Sequence, residues 1–447
     1  MNEVISSVWG MDPKLAAILI MVVSYLVIFT EKVNRAIIAL LGAALMIISG
    51  ILTQKTALAG VDFNTLALLI GMMIIVAICE KSGMFQYVAI WSAKKVNANP
   101  RGLLVALAFV TAVFSGFLDN VTTVLLIAPV TFQITRKLKV NPYPYLVLEI
   151  FASNIGGTAT LIGDPPNILI GSALNLTFMD FVTVLSPIVL ITMLVLVGIF
   201  DLIWGRQLIT TDAEKELVMD MNEKDAIIDA GLLYKSLFVL FGVIGGFIFA
   251  KELFLDNGTI ALTGAAVLLL LYTMGAKGEE KDDKVREIFN MVDWTTIFFF
   301  AGLFIIVFGL EQTGVLSLLG QKFIEVTNGS LDKLVLLILW SSAILSSIVD
   351  NIPFVATMIP MLKSIEAEMG GREAMMPVWW ALSLGACFGG NGTLIGASAN
   401  VVVAGMASRE GHPINFIRFL LWSVPTMLVS VGIATVFIYF EFFEIGF

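Results

Sequence analysis

Phe117-Leu118-Asp119-Asn120-Val121 and Ile348-Val349-Asp350-Asn351-Ile352 sit at the midpoints of two long apolar stretches, residues 101–137 and 333–369. Each stretch holds two apolar arms with almost no polar linker, where an ordinary inter-helix loop would be longer and more hydrophilic. Both read as re-entrant hairpins whose tips stop partway across a membrane, a geometry tolerated only where the tip packs in protein or lines a cavity. Two full spans joined by a tight turn would give the same topology. The Asp-Asn pair recurs at an offset of 231 residues, and that offset organises the rest of the chain.

The offset also carries Asp62, Gly71, Glu80 and Gly83 onto Asp293, Gly302, Glu311 and Gly314, and Ser115 and Pro129 onto Ser346 and Pro360. At an offset of 233, Gly156-Gly157-Thr158-Ala159-Thr160-Leu161-Ile162-Gly163 falls on Gly389-Gly390-Asn391-Gly392-Thr393-Leu394-Ile395-Gly396, and Asn167 on Asn400. Ile38 to Ala44 are echoed by Ile260 to Ala266. Self-similarity of this extent marks a duplicated architecture.

Composition fixes the class. The 447 residues are 58% hydrophobic and 14% charged, against about 25% charged in a soluble domain. Apolar runs long enough to cross a ~30 Å hydrocarbon core lie at 15–30, 34–52, 63–80, 143–176 (interrupted), 181–203, 232–250, 258–274, 294–310, 376–409 (interrupted) and 413–440. Leu15–Thr30 reads as a retained span, since no basic n-region or cleavage site precedes it. The net charge of −9 gathers in two loops, Asp212–Asp229 and Glu279–Glu287, and no basic block suggests nucleic acid. Cys79 and Cys387 lie in apolar segments as small buried hydrophobes. His412 precedes Pro413 in a polar loop. With no His cluster, no intramembrane Ser/His pair and no base beside Cys79, an enzyme is not expected.

These runs predict an all-α polytopic membrane protein of two repeats, each about five spans plus one hairpin. The first covers 15–204 and the second 232–443, joined by a cytoplasmic linker at 205–231. An odd number of crossings inverts the second copy, and inverted repeats are the mark of secondary transporters. Nineteen Lys and Arg fall on one face and seven on the other, which puts the first face in the cytoplasm and both termini outside. The expected setting is a prokaryotic plasma (inner) membrane, with lipid as surroundings. Segments 84–96 and 315–327 read as interfacial amphipathic helices.

Polar residues gather at the tips and at glycine interruptions of two spans. The tips offer Asp119, Asn120, Thr122, Thr123, Asp350 and Asn351. The first break offers Asn154, Gly157, Thr158, Thr160, Asp164 and Asn167, and the second Gly390, Asn391, Thr393, Ser398 and Asn400. Paired glycines and prolines cannot continue a helix. Unwinding frees backbone groups that a bound ion or substrate can satisfy. Asp119, Asp164 and Asp350 sit where an ionised side chain costs at least about 2.5–3.5 kcal/mol. They read either as half-helix caps or as cation and proton carriers, with Glu149 a further proton-coupling candidate and Na+ placed at Asp119, Asn120, Asp350 and Asn351. No Lys or Arg falls in the tips or breaks, which favours a cation or proton over a dianion.

At Phe117 to Leu126, Gly163-Asp164-Pro165-Pro166-Asn167, Asp350-Asn351-Ile352-Pro353 and Gly389 to Asn400, the chain resembles the ion-transporter superfamily of arsenite permeases, NhaD-type sodium–proton antiporters and divalent-anion/sodium symporters, with the melanosomal P protein branch most alike. The resemblance implies a homodimer with a scaffold domain at its interface and a transport domain that moves like an elevator. It carries ligand roles onto Asp119, Asn120, Thr122, Asp350 and Asn351, joined by Thr160, Asn167, Thr393 and Asn400. Dicarboxylate symporters carry Ser-Asn-Thr at each tip; here Asp replaces Ser, and Ile352-Pro353 alters the second motif. The leading expectation is Na+/H+ antiport, with no cofactor beyond the coupling ion. Proton-coupled arsenite or antimonite efflux and cation-coupled uptake of an organic anion are the alternatives within transport, and a channel is the alternative outside it.

Overall fold

The computed structural model describes residues 10–30 and 32–444; the chain ends, expected on the outer side, lie outside the described residues. All of its regular structure is helical. The first half comprises α1 (Pro13–Phe29), α2 (Arg35–Ile48), α3 (Gln54–Ala59), α4 (Phe63–Lys81), α5 (Met84–Lys95), α6 (Pro100–Phe117), α7 (Asn120–Lys137), α8 (Tyr143–Gly157), α9 (Pro165–Leu174) and α10 (Phe178–Trp204). After a connecting segment with α11 (Asp212–Met219), the second half runs α12 (Ala230–Ile248), α13 (Ala250–Leu253), α14 (Asn257–Thr273), α15 (Glu279–Met291), α16 (Trp294–Gln312), α17 (Val315–Thr327), α18 (Leu331–Ile348), α19 (Asn351–Ile365), α20 (Met376–Gly389), α21 (Ser398–Arg409) and α22 (Phe416–Tyr439). Among the described residues, seven helical segments are long and apolar enough to cross a membrane, and α1, α2, α14 and α20 are shorter apolar helices. In hydrocarbon a helix satisfies its own backbone, and short polar residues start many of these: Asn34 accepts from Ala36 N on α2, Asp62 from Asn64 N and Thr65 N on α4, and Asp293 from Thr296 N on α16.

The helices pack as two groups. In one, α2 lies along α16 and α4 along α14, with α1 and α12 beside them. Small residues set the spacing: Gly71 lies against the Ala261 backbone, and Gly302 against that of Ala39, where an added Cβ would come within 2.5 and 2.6 Å of the facing carbonyl carbon. The other group holds both hairpins and both broken spans. There α6 runs parallel to α8, joined near their starts by Tyr145 Oη donating to Pro100 O (2.9 Å) and near their ends by Ser115 Oγ donating to Ser153 O (2.5 Å). Ser346 Oγ makes the matching bond from α18 to Ala386 O of α20 (2.6 Å). The hairpins enter from opposite ends of the bundle. The base of the first meets the end of α21 through Arg136–Glu410 (2.6 Å), and the base of the second meets the end of α9 through Lys363 Nζ and Ala173 O (2.6 Å).

The segment between the halves straps onto the first hairpin. Lys94 pairs with Glu223 (2.7 Å), Lys139 with Glu214 (3.2 Å), and Ile228 N donates to Ser82 O (3.0 Å). That strap covers the α4–α5 joint, where Gly83 takes φ +83 with the Ala226 carbonyl pressed against it; the corresponding joint at Gly314 (φ +75) is open. Residues 84–96, read as an interfacial amphipathic helix, pack one face on protein: Met84, Phe85, Ala89 and Ile90 are buried, with α5 against α6 and α7. Trp91 of the same helix stays exposed.

Candidate functional site

Both hairpins end where the spans break, and the breaks are stitched to the tips. Thr160 Oγ1 donates to Gly116 O (2.5 Å), and Thr393 Oγ1 to Ser347 O (2.5 Å). Within each break an asparagine closes the unwound turn: Asn167 Nδ2 donates to Thr158 O (3.0 Å) and Thr160 O (2.9 Å), and Asn400 Nδ2 to Gly390 O (2.8 Å) and Thr393 O (2.9 Å). Thr158 Oγ1 bonds back to Asn154 O (2.8 Å), and Gly157 lies against the Gly163 carbonyl. The carbonyls expected to await a ligand are thus largely occupied by these side chains. Thr160, Asn167, Thr393 and Gly157 build the seam in this structure.

Asp164 is the meeting point. It is fully buried, and its Oδ1 accepts from Asn120 Nδ2 of the first tip (3.3 Å) and from Asn351 Nδ2 of the second (3.3 Å). Its Oδ2 is buried with no protein partner. Although Asp164 precedes α9, its side chain makes no capping bond. Behind it, Asn154 accepts from Asn120 (3.0 Å) and donates to Asn391 Oδ1 (2.8 Å) and Asn400 Oδ1 (2.9 Å), so one buried amide joins the first tip to the second break. The Asn391 amide nitrogen and the Thr123 hydroxyl are buried without partners.

A cavity of about 510 Å³ opens beside this cluster. Of the residues singled out from sequence, Asp119, Asn120, Thr122, Asp164, Asn351 and Ser398 line it. Asp119 caps α7, accepting from Thr122 N (2.9 Å) and from the Thr122 hydroxyl. Asp350 caps α19 through Ile352 N (3.1 Å). The two tip carboxylates therefore face their own helices while the two asparagines face Asp164, and the four do not form one cage. Glu149 stands apart: its Oε1 accepts from Thr131 Oγ1 (2.5 Å), its Oε2 is buried without a partner, and it does not line the cavity.

Four polar residues of the wall were given no site role by the sequence: Arg35, Glu80, Asp293 and Thr296. Arg35 corrects an expectation. No cation falls in the tips or breaks by sequence, yet Arg35 reaches in from α2. Its Nη1 donates to Asp350 Oδ2 (2.9 Å) and Ser398 Oγ (2.9 Å), and its Nη2 to Thr296 Oγ1 (3.0 Å). Asp350 is thus compensated by a guanidinium 315 residues away in the chain. The visible signal was an arginine opening an apolar span directly after its Asn34 cap. Glu80 and Asp293, at helix ends, add two carboxylates to the wall. The cavity carries Glu80, Asp119, Asp164 and Asp293 against Arg35, whose charge Asp350 already meets. Such a wall attracts cations and opposes polyanions.

A family model described as citrate transporter (CitMHS) matches residues 25–385 of this chain. An uncharacterized transporter of Mycobacterium tuberculosis is 41% identical over 432 residues, covering 96% of this chain and 98% of that protein. The P protein of Mus musculus is 32% identical over 512 residues, covering 96% of this chain and 60% of that protein. The crystal structure of the YdaH transporter of Alcanivorax borkumensis shares the fold, with a TM-score of 0.54 at 14% identity over 96% of this chain and 99% of that one.

Proposed function

Because the chain belongs to the CitMHS citrate transporter family, and is a multi-pass membrane transporter, we propose that it is a cation-coupled secondary transporter that exchanges Na+ for H+ at Asp164 and Asp119. The observation that carries this reading is the buried Asp164: both tip asparagines converge on one oxygen and the other is left without a partner. An uncompensated buried carboxylate is costly. Either a proton or a metal cation neutralises it, and the two compete for the same oxygen. Competition for one carboxylate is exchange when the site faces each side in turn. The two packed groups give the parts for that motion: the group of α2, α4, α14 and α16 as scaffold, and the hairpins and broken spans as the moving body. In this reading the positive-inside orientation is taken to hold, the cavity wall of Arg35, Glu80 and Asp293 supports an inward-open state in the inner membrane, and two protomers join through the scaffold.

Uptake of a carboxylate is the second reading, favoured by the family's description. A tricarboxylate would meet four wall carboxylates and one guanidinium already paired. Reconstitution into liposomes containing a pH dye separates the two. Na+-evoked proton flux that is saturable and abolished in Asp164→Asn supports exchange; its absence, with labelled citrate accumulating instead, replaces exchange by uptake. Proton flux evoked by arsenite alone would reassign the substrate.

A further inference from the structure

The two tips carry the same Asp-Asn pair, but a tethered cation serves only one of them. Arg35 is the sole Lys or Arg among the residues lining the cavity. Its Nη1 bridges Asp350 and Ser398, its Nη2 holds Thr296, and its guanidinium carbon lies 5.0 Å over the Phe299 ring. Thr296 and Phe299 belong to α16, in the same packed group as Arg35, whereas Asp350 and Ser398 belong to the hairpin and broken-span group. The guanidinium therefore reaches across the boundary between the groups from a fixed anchorage on its own side. Any sliding of the hairpins along α2 takes Asp350 and Ser398 away and leaves Arg35 on Thr296.

The first tip has no such partner. Asp119 is served by Thr122 alone. The register that aligns Ala39 with Ala261 and Gly42 with Gly264 puts Asn257 where Arg35 stands, and Asn257 donates to Leu176 O (3.5 Å), away from Asp119.

We infer that Arg35 is a tethered competitor of the transported cation: it occupies Asp350 and Ser398 in this state, and a mobile cation reaches those oxygens only when the guanidinium leaves. The inference rests on the cation-exchange reading and adds the residue that sets occupancy. One carboxylate needs one positive charge. A guanidinium making two bonds to the pocket holds that place against a hydrated monovalent ion, and restores it each time the hairpin returns. Arg35 thereby favours unloading on the side to which the cavity opens and leaves Asp119 and Asp164 as the coupling carboxylates.

The test is equilibrium binding of radioactive 22Na+ to the purified protein in detergent, with Na+-evoked proton flux in liposomes measured beside it. In Arg35→Gln, the apparent Na+ dissociation constant should fall about tenfold or the Hill coefficient should rise above that of the unaltered protein, with Arg35→Lys in between. Arg35→Gln/Asp350→Asn, which removes both charges, should return both values to those of the unaltered protein. Measurable binding in Arg35→Gln that is no tighter than in the unaltered protein, with no rise in the Hill coefficient, overturns the inference. Should Arg35→Gln neither bind nor transport, recovery in the double variant supports it and failure to recover overturns it. Absence of 22Na+ binding and flux in the unaltered protein would instead bring down the exchange reading itself.

Discussion

The two hairpin tips are alike in sequence and unlike in surroundings. Asp119 and Asp350 each cap the helix that follows, and Asn120 and Asn351 donate to the same oxygen of Asp164 at the same 3.3 Å. Only Asp350 has an ion-pair partner, Arg35, with the two side chains 27% and 19% exposed. The breaks differ in the same sense: Asp164 and Asn154 of the first correspond to Ala397 and Cys387 of the second. The two tips thus share one pattern of capping and asparagine contacts, and a few residue differences leave Asp119 without an ion-pair partner and Asp350 with one.

That contrast can be broken most sharply at the shared point. Asp164→Asn should lower Na+-evoked proton flux roughly 100-fold, because it removes the charge that both asparagines meet; wild-type flux would mean that the convergence is packing alone. The tips themselves should then separate. Asp119→Asn should reduce flux by about tenfold with little change in melting temperature. Asp350→Asn should chiefly destabilise, by about 1–2 kcal/mol, since it strands the Arg35 guanidinium in a partly exposed setting; thermal unfolding in detergent beside flux decides. Equal loss of flux in both variants would erase the distinction.

Backbone packing should show symmetry where charge does not. A Cβ at Gly156 would lie 2.3 Å from Ala112 O, and one at Gly389 2.5 Å from Ala343 O. Ala at either position should cost about 1–3 kcal/mol by overpacking, and to a similar degree. At the arm joints symmetry fails again: Gly83→Ala meets both positive φ and the Ala226 carbonyl, Gly314→Ala positive φ only, so the first should unfold at the lower temperature. The smallest effect concerns the strap. Bonds from the Thr211 backbone and from the Thr210 and Thr211 hydroxyls draw the Glu214 carboxyl down from 4.5 to about 2, and Lys94 lowers that of Glu223. A lowered carboxyl stabilises the folded strap above its unfolded value and loses that contribution as pH falls from about 4.5 to about 2. Proteolysis of residues 205–231 should be unchanged between pH 5 and 9 and should rise only in strong acid, so any pH dependence of flux in the neutral range belongs to the cavity.

The membrane-spanning, all-helical character and the transporter class were legible because apolar runs, glycine breaks and the 231-residue offset are local or periodic signals. Asp164 stood out as an aspartate inside an apolar span. Arg35 did not, since its meaning depends on Asp350, 315 residues on, and no spacing rule couples the start of one span to a tip in the other half. The division of labour among polar residues was hidden for a related reason. Thr160, Thr393 and Asn167 carry the same chemistry as Thr122 and Asn120, and only their positions relative to the backbone decide that the former tie down carbonyls while the latter reach the cavity.

The seam at the breaks has a consequence for selectivity. Asn167 and Asn400 consume four unwound carbonyls between them, so an ion at the free Asp164 oxygen would be held by rotatable side-chain groups instead of a rigid main-chain collar. Flexible oxygens adjust to ionic radius and discriminate chiefly by field strength and ligand number. Li+ should accordingly replace Na+ in driving proton release at comparable rates, a permissiveness that a stiff carbonyl ring of fixed bore would not share.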